Sequence, residues 1–233
     1  MYRANNYLYL IKKNVMENSH SLPVLTAEEV RVLGALMEKG KVTPDSYPLT
    51  LNSTLLACNQ KTSRYPVVEY DEETVSIALD GLKRKGFVSP DTGGGSRANK
   101  YKHNFHLMFQ LPRGAQAAMT LLFLRGPLTA GEINSSSGRL YDFSSLDEVY
   151  DTLNALMEYE LPLVSELERR PGQKERRFAH RLSGEVTAPF DEETASPVSA
   201  PKKSAIEERL QKVEDELAEV KTKLEGLIQE LKG

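Results

Sequence analysis

Two clusters of basic side chains carry the clearest chemistry in this sequence. Residues 83–102 hold six cationic side chains against one acidic one, and residues 169–181 repeat that imbalance. Lys and Arg at this density can neutralise several phosphates of a nucleic-acid backbone. The residues predicted to bind nucleic acid are Lys83, Arg84, Lys85, Arg97, Lys100, Lys102, Arg170, Lys174, Arg176 and Arg177.

A polar segment that begins at Asn59 is the second candidate site. It separates two helical patterns by about a dozen residues, where a turn between helices needs only a few. Two interpretations stay open: a binding loop that contacts a nucleic acid or a peptide backbone, and an ordered surface loop whose amides bind their own backbone. The residues of the predicted binding loop are Asn59, Gln60, Lys61 and Arg64.

The sequence lacks the signatures of catalysis and of metal binding. The glycines at 93–95 are not followed by the Gly-Lys-Ser/Thr of a phosphate-binding loop, and neither Gly-x-Ser-x-Gly nor His-Glu-x-x-His occurs. Cys58 is the single cysteine and ends an apolar helical pattern, so we expect a buried structural thiol. His103 and His180 are expected to pack on the apolar faces of two strands. We therefore expect no enzyme, no cofactor and no metal site.

An internal repeat must position the two basic clusters. Asp71 and Ser145 are the expected N-caps of two equivalent helices, each followed by a short strand, a glycine-containing loop and an alternating strand. Three helices followed by a β-hairpin predict two tandem winged helix-turn-helix domains, at residues 23–108 and 109–185, in an α+β fold that is mainly α. The apolar stripes of the equivalent helices are Val75, Leu79 and Leu82 and then Val149, Leu153 and Leu156. The earlier helices are predicted from Ala27 to Lys39, from Leu49 to Cys58, from Ala115 to Leu124 and from Thr129.

The C-terminal residues 204–232 carry a heptad pattern with alternating spacings of four and three. A solitary helix of this length is marginal in water, so the pattern predicts a homodimeric coiled coil of undetermined orientation. The alternative is a helix that folds back on its own domain. Residues 186–203 have the composition of a linker, and residues 1–22 form an N-terminal extension in which Met16 is an alternative start. The predicted dimerisation residues are Leu210, Val213, Leu217, Val220, Leu224 and Leu227.

The length and composition of the chain restrict the classes of protein to which it can belong. The chain has 233 residues, a net charge of −3 and 39% hydrophobic residues, enough for one or two packed domains. No apolar run approaches the length of a membrane-spanning helix, so we expect a cytoplasmic protein that does not engage membranes. The tail contributes much of the acidic excess, and the two predicted domains are close to neutral.

Several segments resemble the YceH-like bacterial proteins over roughly residues 24–185. The most specific of them are Thr43-Pro-Asp-Ser-Tyr-Pro-Leu-Thr-Leu-Asn52, Ala57-Cys-Asn-Gln-Lys-Thr-Ser-Arg64 and Leu124-Arg-Gly-Pro127. The resemblance implies a tandem winged-helix fold and a family without an assigned biochemical activity.

Two functional hypotheses follow. Winged helices usually bind DNA through the third helix and the wing, but the third helices here begin with the acidic residues Asp71 to Glu73 and Asp147 to Glu148. Because these carboxylates would repel phosphates, a DNA-binding regulator would use its basic wings. The alternative is a protein adaptor whose acidic third helices and polar segment dock a partner protein.

Overall fold

The fold is mixed, with helices and small antiparallel sheets in alternation. The structure is a computed structural model and describes residues 21–91, 99–169 and 175–184. About half of these residues lie in seven α-helices, and six short strands form two sheets. No helix among the described residues is long and apolar enough to cross a membrane.

The first half of the chain begins with a long helix and ends with a β-hairpin. A turn of 3-10 helix, Pro44–Ser46, follows the first helix, and a short helix, α4 (Phe105–Phe109), leads into the second half. The elements between residues 27 and 103 are α1 (Ala27–Val42), β1 (Leu49–Thr50), α2 (Leu51–Cys58), α3 (Glu72–Arg84), β2 (Val88–Asp91) and β3 (Lys100–His103).

The second half repeats this order. Its third helix buries the predicted apolar stripe, as α3 does. The internal repeat read from the sequence is therefore confirmed at the level of elements. These elements are α5 (Arg113–Arg125), β4 (Leu128–Thr129), α6 (Ala130–Ser137), α7 (Leu146–Met157), β5 (Val164–Glu166) and β6 (Arg177–His180).

Each half closes with a three-stranded antiparallel sheet of the same order. The first sheet runs β1-β3-β2 and the second β4-β6-β5. Thr50 pairs with Lys100, and at the equivalent place Thr129 pairs with Arg177. The strand at Leu49–Thr50 was not predicted: the helix expected from Leu49 begins two residues later, because those two residues pair with β3.

Side chains at the helix starts explain why the helices begin where they do. The oxygens of Asp71 and Ser145 accept hydrogen bonds from the backbone N–H groups of Thr74 and Glu148, which satisfies donors that a helix leaves free. Both predicted caps are thus confirmed. Thr129 forms a reciprocal capping box with Glu132 at the start of α6.

A single hydrophobic core runs through both halves. α1 packs against α5 so closely that a Cβ atom at Gly34 would lie 2.9 Å from Cβ of Phe123. Backbone bonds also join the halves, from Tyr65 N–H to Leu124 O at 2.8 Å and from Leu25 N–H to Leu182 O at 2.6 Å. The boundary predicted between residues 108 and 109 falls inside α4, and the core extends across it.

Candidate nucleic-acid interface

The end of α3 presents two exposed cations and one that is held in place. Lys83 and Arg84 are exposed, and neither has an acidic partner within the described ranges. Lys85 behaves differently, because its Nζ lies 2.5 Å from Oε2 of the buried Glu29 and donates to the Val24 carbonyl at 2.9 Å. Of the three residues predicted to bind nucleic acid here, Lys85 therefore has a structural role.

The first β-hairpin carries Lys100 and Lys102 on β3. Lys102 is exposed and forms a 3.3 Å ion pair with Asp91 across the hairpin. Such solvent-exposed pairs contribute only about 0–1 kcal/mol, so Lys102 can exchange Asp91 for a phosphate at little cost. Lys100 is half-buried and lies opposite Thr50. Arg97, the remaining predicted contact of this hairpin, lies outside the described residues.

In the second β-hairpin, the cations bind carbonyl and carboxylate groups of the protein itself. Arg177, the equivalent of Lys100, donates to the Pro127 carbonyl at 3.0 Å and to the Glu132 carboxylate at 2.8 Å. Glu132 lies near Arg177 because it is the third residue of α6 and closes its capping box. The equivalent residue of α2 is Ser53, which has no carboxylate. Arg176 is more exposed and pairs with Glu166 at 2.6 Å. Arg170 and Lys174 lie outside the described residues.

The outer faces of the third helices differ in charge. α3 begins with exposed Asp71, Glu72 and Glu73 and ends with exposed Lys83 and Arg84. α7 is acidic at both ends, and from residue 140 to residue 168 the chain contains eight acidic residues and no Lys or Arg. Its exposed acids are Asp147, Asp151 and Glu158. Carboxylates therefore occupy the positions from which a third helix would approach DNA.

The polar segment after α2 binds its own chain. The Asn59 amide donates to the Tyr70 carbonyl at 2.8 Å and accepts from the Tyr70 N–H at 2.9 Å, which closes the segment at both ends. Gln60 Oε1 accepts from Arg64 at 2.9 Å. These bonds favour the interpretation as an ordered surface loop for Asn59 and Gln60, and Lys61 is the exposed member of the predicted set.

Arg64 requires a correction. Its side chain is fully buried, and its guanidinium donates to both carboxylate oxygens of Glu38 and to the Ala57 carbonyl. Arg31 supports the same segment from α1, with a 2.6 Å bond to the Pro66 carbonyl. A side chain with all its donors engaged inside the protein cannot read a ligand in this conformation, because a ligand would have to displace those bonds.

Of the groups considered for redox or metal chemistry, Cys58 is buried, and His103 and His180 are half-buried with their Nδ1 atoms inaccessible to solvent. Burial raises the pKa of the Cys58 thiol to about 12, which fits the expected structural thiol. Burial also lowers the pKa of His103 and of His180 to about 4, with His106 adding to the effect at His103. Within the described ranges, no three His, Cys, Asp or Glu side chains are grouped to hold a metal ion.

Sequence reasoning missed a cleft between the start of α1 and the outer face of α3. It has a volume of about 670 Å³ and lies beside Ile77, Ala78 and Gly81. Two signals were present in the sequence: an isoleucine outside the apolar stripe of α3, and a glycine in the interior of that helix.

Comparison with known proteins places the chain in a family. A family model described as "Protein of unknown function, DUF480" matches residues 25–173. The chain belongs to this family. The DUF480 match includes all the helices described above and ends before β6, and it confirms the predicted membership of an uncharacterised bacterial family.

Relatives of this DUF480 chain occur in several bacteria. It is 42% identical to a UPF0502 protein of Shewanella sp. strain ANA-3 over 215 residues, which covers 89% of this chain and 99% of that relative. It is 50% identical to a UPF0502 protein of Chromobacterium violaceum over 161 residues, 69% of this chain and 73% of that one. A UPF0502 protein of Shewanella pealeana is 44% identical over 216 residues, 88% and 98% of the two chains.

Proposed function

We propose that the chain is a cytoplasmic, tandem winged-helix DNA-binding protein that regulates transcription and acts without catalysis. The repeated order of elements and the matching strand orders of the two sheets support the winged-helix interpretation. In this proposal the β-hairpins are the wings. The observation that carries the DNA-binding role is the pair of lysines on β3, Lys100 and Lys102, beside a hairpin loop that also contains Arg97.

The first half makes the principal contact in this proposal. Lys100 lies opposite Thr50 and Asp91, and Asp91 also pairs with Lys102, so one carboxylate serves two lysines. In the second hairpin, Arg176 and Arg177 each have a carboxylate of their own, so the first hairpin has the less neutralised cations. Lys83 adds an exposed charge at the end of α3. Contacts of this kind bind the phosphate backbone and fix the position of a protein on the duplex without reading bases.

The predicted homodimer belongs to the same proposal. The heptad residues 204–232 lie outside the described residues, as do the linker 186–203 and residues 1–20, so the dimerisation residues Leu210, Val213, Leu217, Val220, Leu224 and Leu227 stay a prediction. Joining two chains would turn weak backbone contacts into a bivalent one and raise the overall affinity by avidity.

The DNA-binding proposal predicts a salt-dependent affinity for a random-sequence duplex. Binding measured by fluorescence anisotropy should weaken as salt rises, because each phosphate contact releases condensed counterions. The double variant Lys100→Glu, Lys102→Glu should bind at least about tenfold more weakly and should reduce the slope of log affinity against log salt by about 2.

The matched control is the double variant Arg113→Glu, Arg139→Glu, which reverses two exposed cations outside the hairpins. Its affinity should change much less than that of the hairpin variant. Absence of binding at low salt, or an affinity that does not respond to salt, would exclude the phosphate contact.

A second candidate function is favoured by the outer face of α7. Leu146 and Tyr150 are 42% and 39% exposed there, among the carboxylates of Asp147 and Asp151. Exposed apolar side chains within an acidic surface are typical of a site that docks a basic partner protein. This is the adaptor hypothesis, now confined to α7.

The adaptor hypothesis predicts that one double variant loses a partner. Leu146→Ala with Tyr150→Ala should abolish capture of that partner from a lysate of the producing bacterium, identified by mass spectrometry. The hairpin variant Lys100→Glu, Lys102→Glu should capture it normally. Leu107→Ala is the control, because Leu107 is 41% exposed on α4. Retention of every partner by the α7 variant would refute the role of this face.

A further inference from the structure

The cleft beside α3 is a built feature of the first half. Gly81 forms part of its floor, and a Cβ atom there would lie 2.1 Å from Oε1 of Glu29. The Glu29 side chain therefore crosses the α3 backbone at the one residue without a side chain. From there it accepts the Thr26 N–H at 2.8 Å and pairs with Lys85.

Besides the Glu29 and Lys85 pair, two further charges line the cleft, Arg84 and Glu28. A hydrogen bond from Thr26 lowers the pKa of the Glu28 carboxyl and so favours its charged form. Arg84 lines the end of the cleft near the C-terminus of α3. Glu28 also lines the cleft, and its carboxylate raises the pKa of Tyr70 after the larger effect of burial, which places Glu28 beside the residues that precede α3. The cleft is therefore acidic at one end and basic at the other.

An exposed apolar side chain stands between these charges. Ile77 lines the cleft and is 63% exposed. Val24, whose carbonyl accepts from Lys85, is 61% exposed at the border of the same region. Ile77 and Val24 together give this side of the cleft an apolar surface that contact with a partner would remove from water.

We propose that a second copy of this chain covers the cleft, with α3 packed against α3 of the other copy. A two-fold axis near Ile77 brings Ile77 of one copy against Ile77 of the other. The same rotation places Arg84 of each copy at the acidic end of the other cleft, beside Glu28. Such a contact is isologous and self-complementary, as a closed dimer requires.

The second half shows why this pairing is specific to α3. The repeat aligns Ile77 with Asp151, Gly81 with Ala155 and Arg84 with Glu158. The same two-fold pairing of α7 would bring Asp151 of one copy against Asp151 of the other at the axis, which is repulsive. α3 and α7 thus differ in the apolar and charged residues of their outer faces, and only those of α3 are complementary to a second copy.

This inference goes beyond the proposed DNA contact and does not depend on it. In this role α3 does not contact phosphates, so the carboxylates at its start are acceptable. In the major groove of DNA the same carboxylates would be repelled. The pairing of α3 also predicts self-association through the described part of the chain, in addition to the predicted coiled coil.

A cysteine crosslink in the full-length protein tests the pairing. Cys58 is buried, so Ile77→Cys introduces an exposed thiol near the proposed axis. Two such thiols form a disulfide only when their Cα atoms approach to about 4.4–6.8 Å. Diamide serves as the oxidant and takes up the two electrons and two protons released. We expect covalent dimer on non-reducing electrophoresis, at least about tenfold faster than in the control Leu56→Cys, an exposed site on α2.

Charge substitutions provide the second readout. In the Ile77→Cys background, Arg84→Glu should slow crosslinking severalfold, and adding Glu28→Arg should restore it. A dimer held only by the C-terminal heptads would crosslink Ile77→Cys and Leu56→Cys at similar rates, and that outcome would overturn the proposal. Because the assay contains no DNA, its result is independent of the DNA-binding test.

Discussion

Replacing Arg64 with methionine should lower the free energy of unfolding by about 3–5 kcal/mol, which is the usual cost of removing one partner from a buried ion pair. The Arg64 side chain is fully buried, and the Glu38 carboxylate that it binds is 17% exposed. Methionine fills a similar volume without the charge. The predicted loss is therefore the free-energy cost of leaving Glu38 and the Ala57 carbonyl without their hydrogen-bond donor.

The geometry explains why the effect should be large. The guanidinium lies 3.1 Å and 2.5 Å from the two carboxylate oxygens of Glu38, and Nε and Nη2 each donate to Ala57 O at 3.1 Å. It thus links α1 to the end of α2 and to the segment after it. Because stabilities of ordinary domains are only about 5–15 kcal/mol, this one substitution removes a large share.

Lys39 provides the matched control for the same carboxylate. Its Nζ lies 3.6 Å from Glu38, beyond hydrogen-bonding distance, and Lys39→Met leaves both Arg64 bonds to Glu38 in place, so the cost should be less than about 1 kcal/mol. Arg64→Lys should fall between the two, because lysine keeps the charge and loses the bidentate geometry. Chemical denaturation of the three variants provides the measurement. Equal losses for Arg64→Met and Lys39→Met would contradict the structural role of Arg64.

The elements that the sequence predicted correctly are those set by local rules. The stripe of Val75, Leu79 and Leu82 identifies α3 because helical periodicity acts within a few residues, and the caps at Asp71 and Ser145 follow from the side chains beside them. The repeat then extends the assignment from one half to the other. The heptad tail follows the same logic and stays a prediction.

What the sequence could not predict depends on residues that are distant in the chain. Arg64 looks like a surface cation until Glu38, 26 positions earlier, is placed beside it. Arg177 looks like a wing contact until the capping carboxylate of Glu132 is seen to bind it. In each case a charge counted as free is paired through tertiary contacts, and composition cannot distinguish a paired cation from a free one. The mid-helix Gly81 was the local signal for the cleft.

Acidification should destabilise the protein through two equivalent histidines, His103 and His180. Burial lowers the pKa of each from 6.5 to about 4, and the Nδ1 atom of each is buried without a hydrogen-bond partner in the described part of the chain. His180 packs edge-on against Phe123, with ring centroids 5.0 Å apart. A proton added to either ring would charge a group that the fold holds neutral.

The direction of the effect follows from the two pKa values. Between pH 6.5 and pH 4 the unfolded chain binds a proton at each histidine and the folded chain does not, so stability falls as the pH falls through this window. Each histidine should remove about 3 kcal/mol between pH 7 and pH 4, and most of this loss precedes pH 4.5. Glu28 and Asp71 are carboxylates with lowered pKa. They reduce the stability mainly when the pH falls below their ordinary pKa values of 4.5 and 3.8.

Phenylalanine substitutions isolate the histidine contribution. His180→Phe keeps an aromatic ring against Phe123 and removes the titrating group, so the loss of unfolding free energy from pH 7 to pH 4.5 should shrink by about 2–3 kcal/mol. His103→Phe should have a similar effect, and the double variant should keep only the smaller pH dependence of His106, whose pKa burial also lowers. Denaturant titrations at intervals of half a pH unit provide the measurement. A double variant that loses stability as steeply as the parent protein would show that neither histidine is held neutral by the fold.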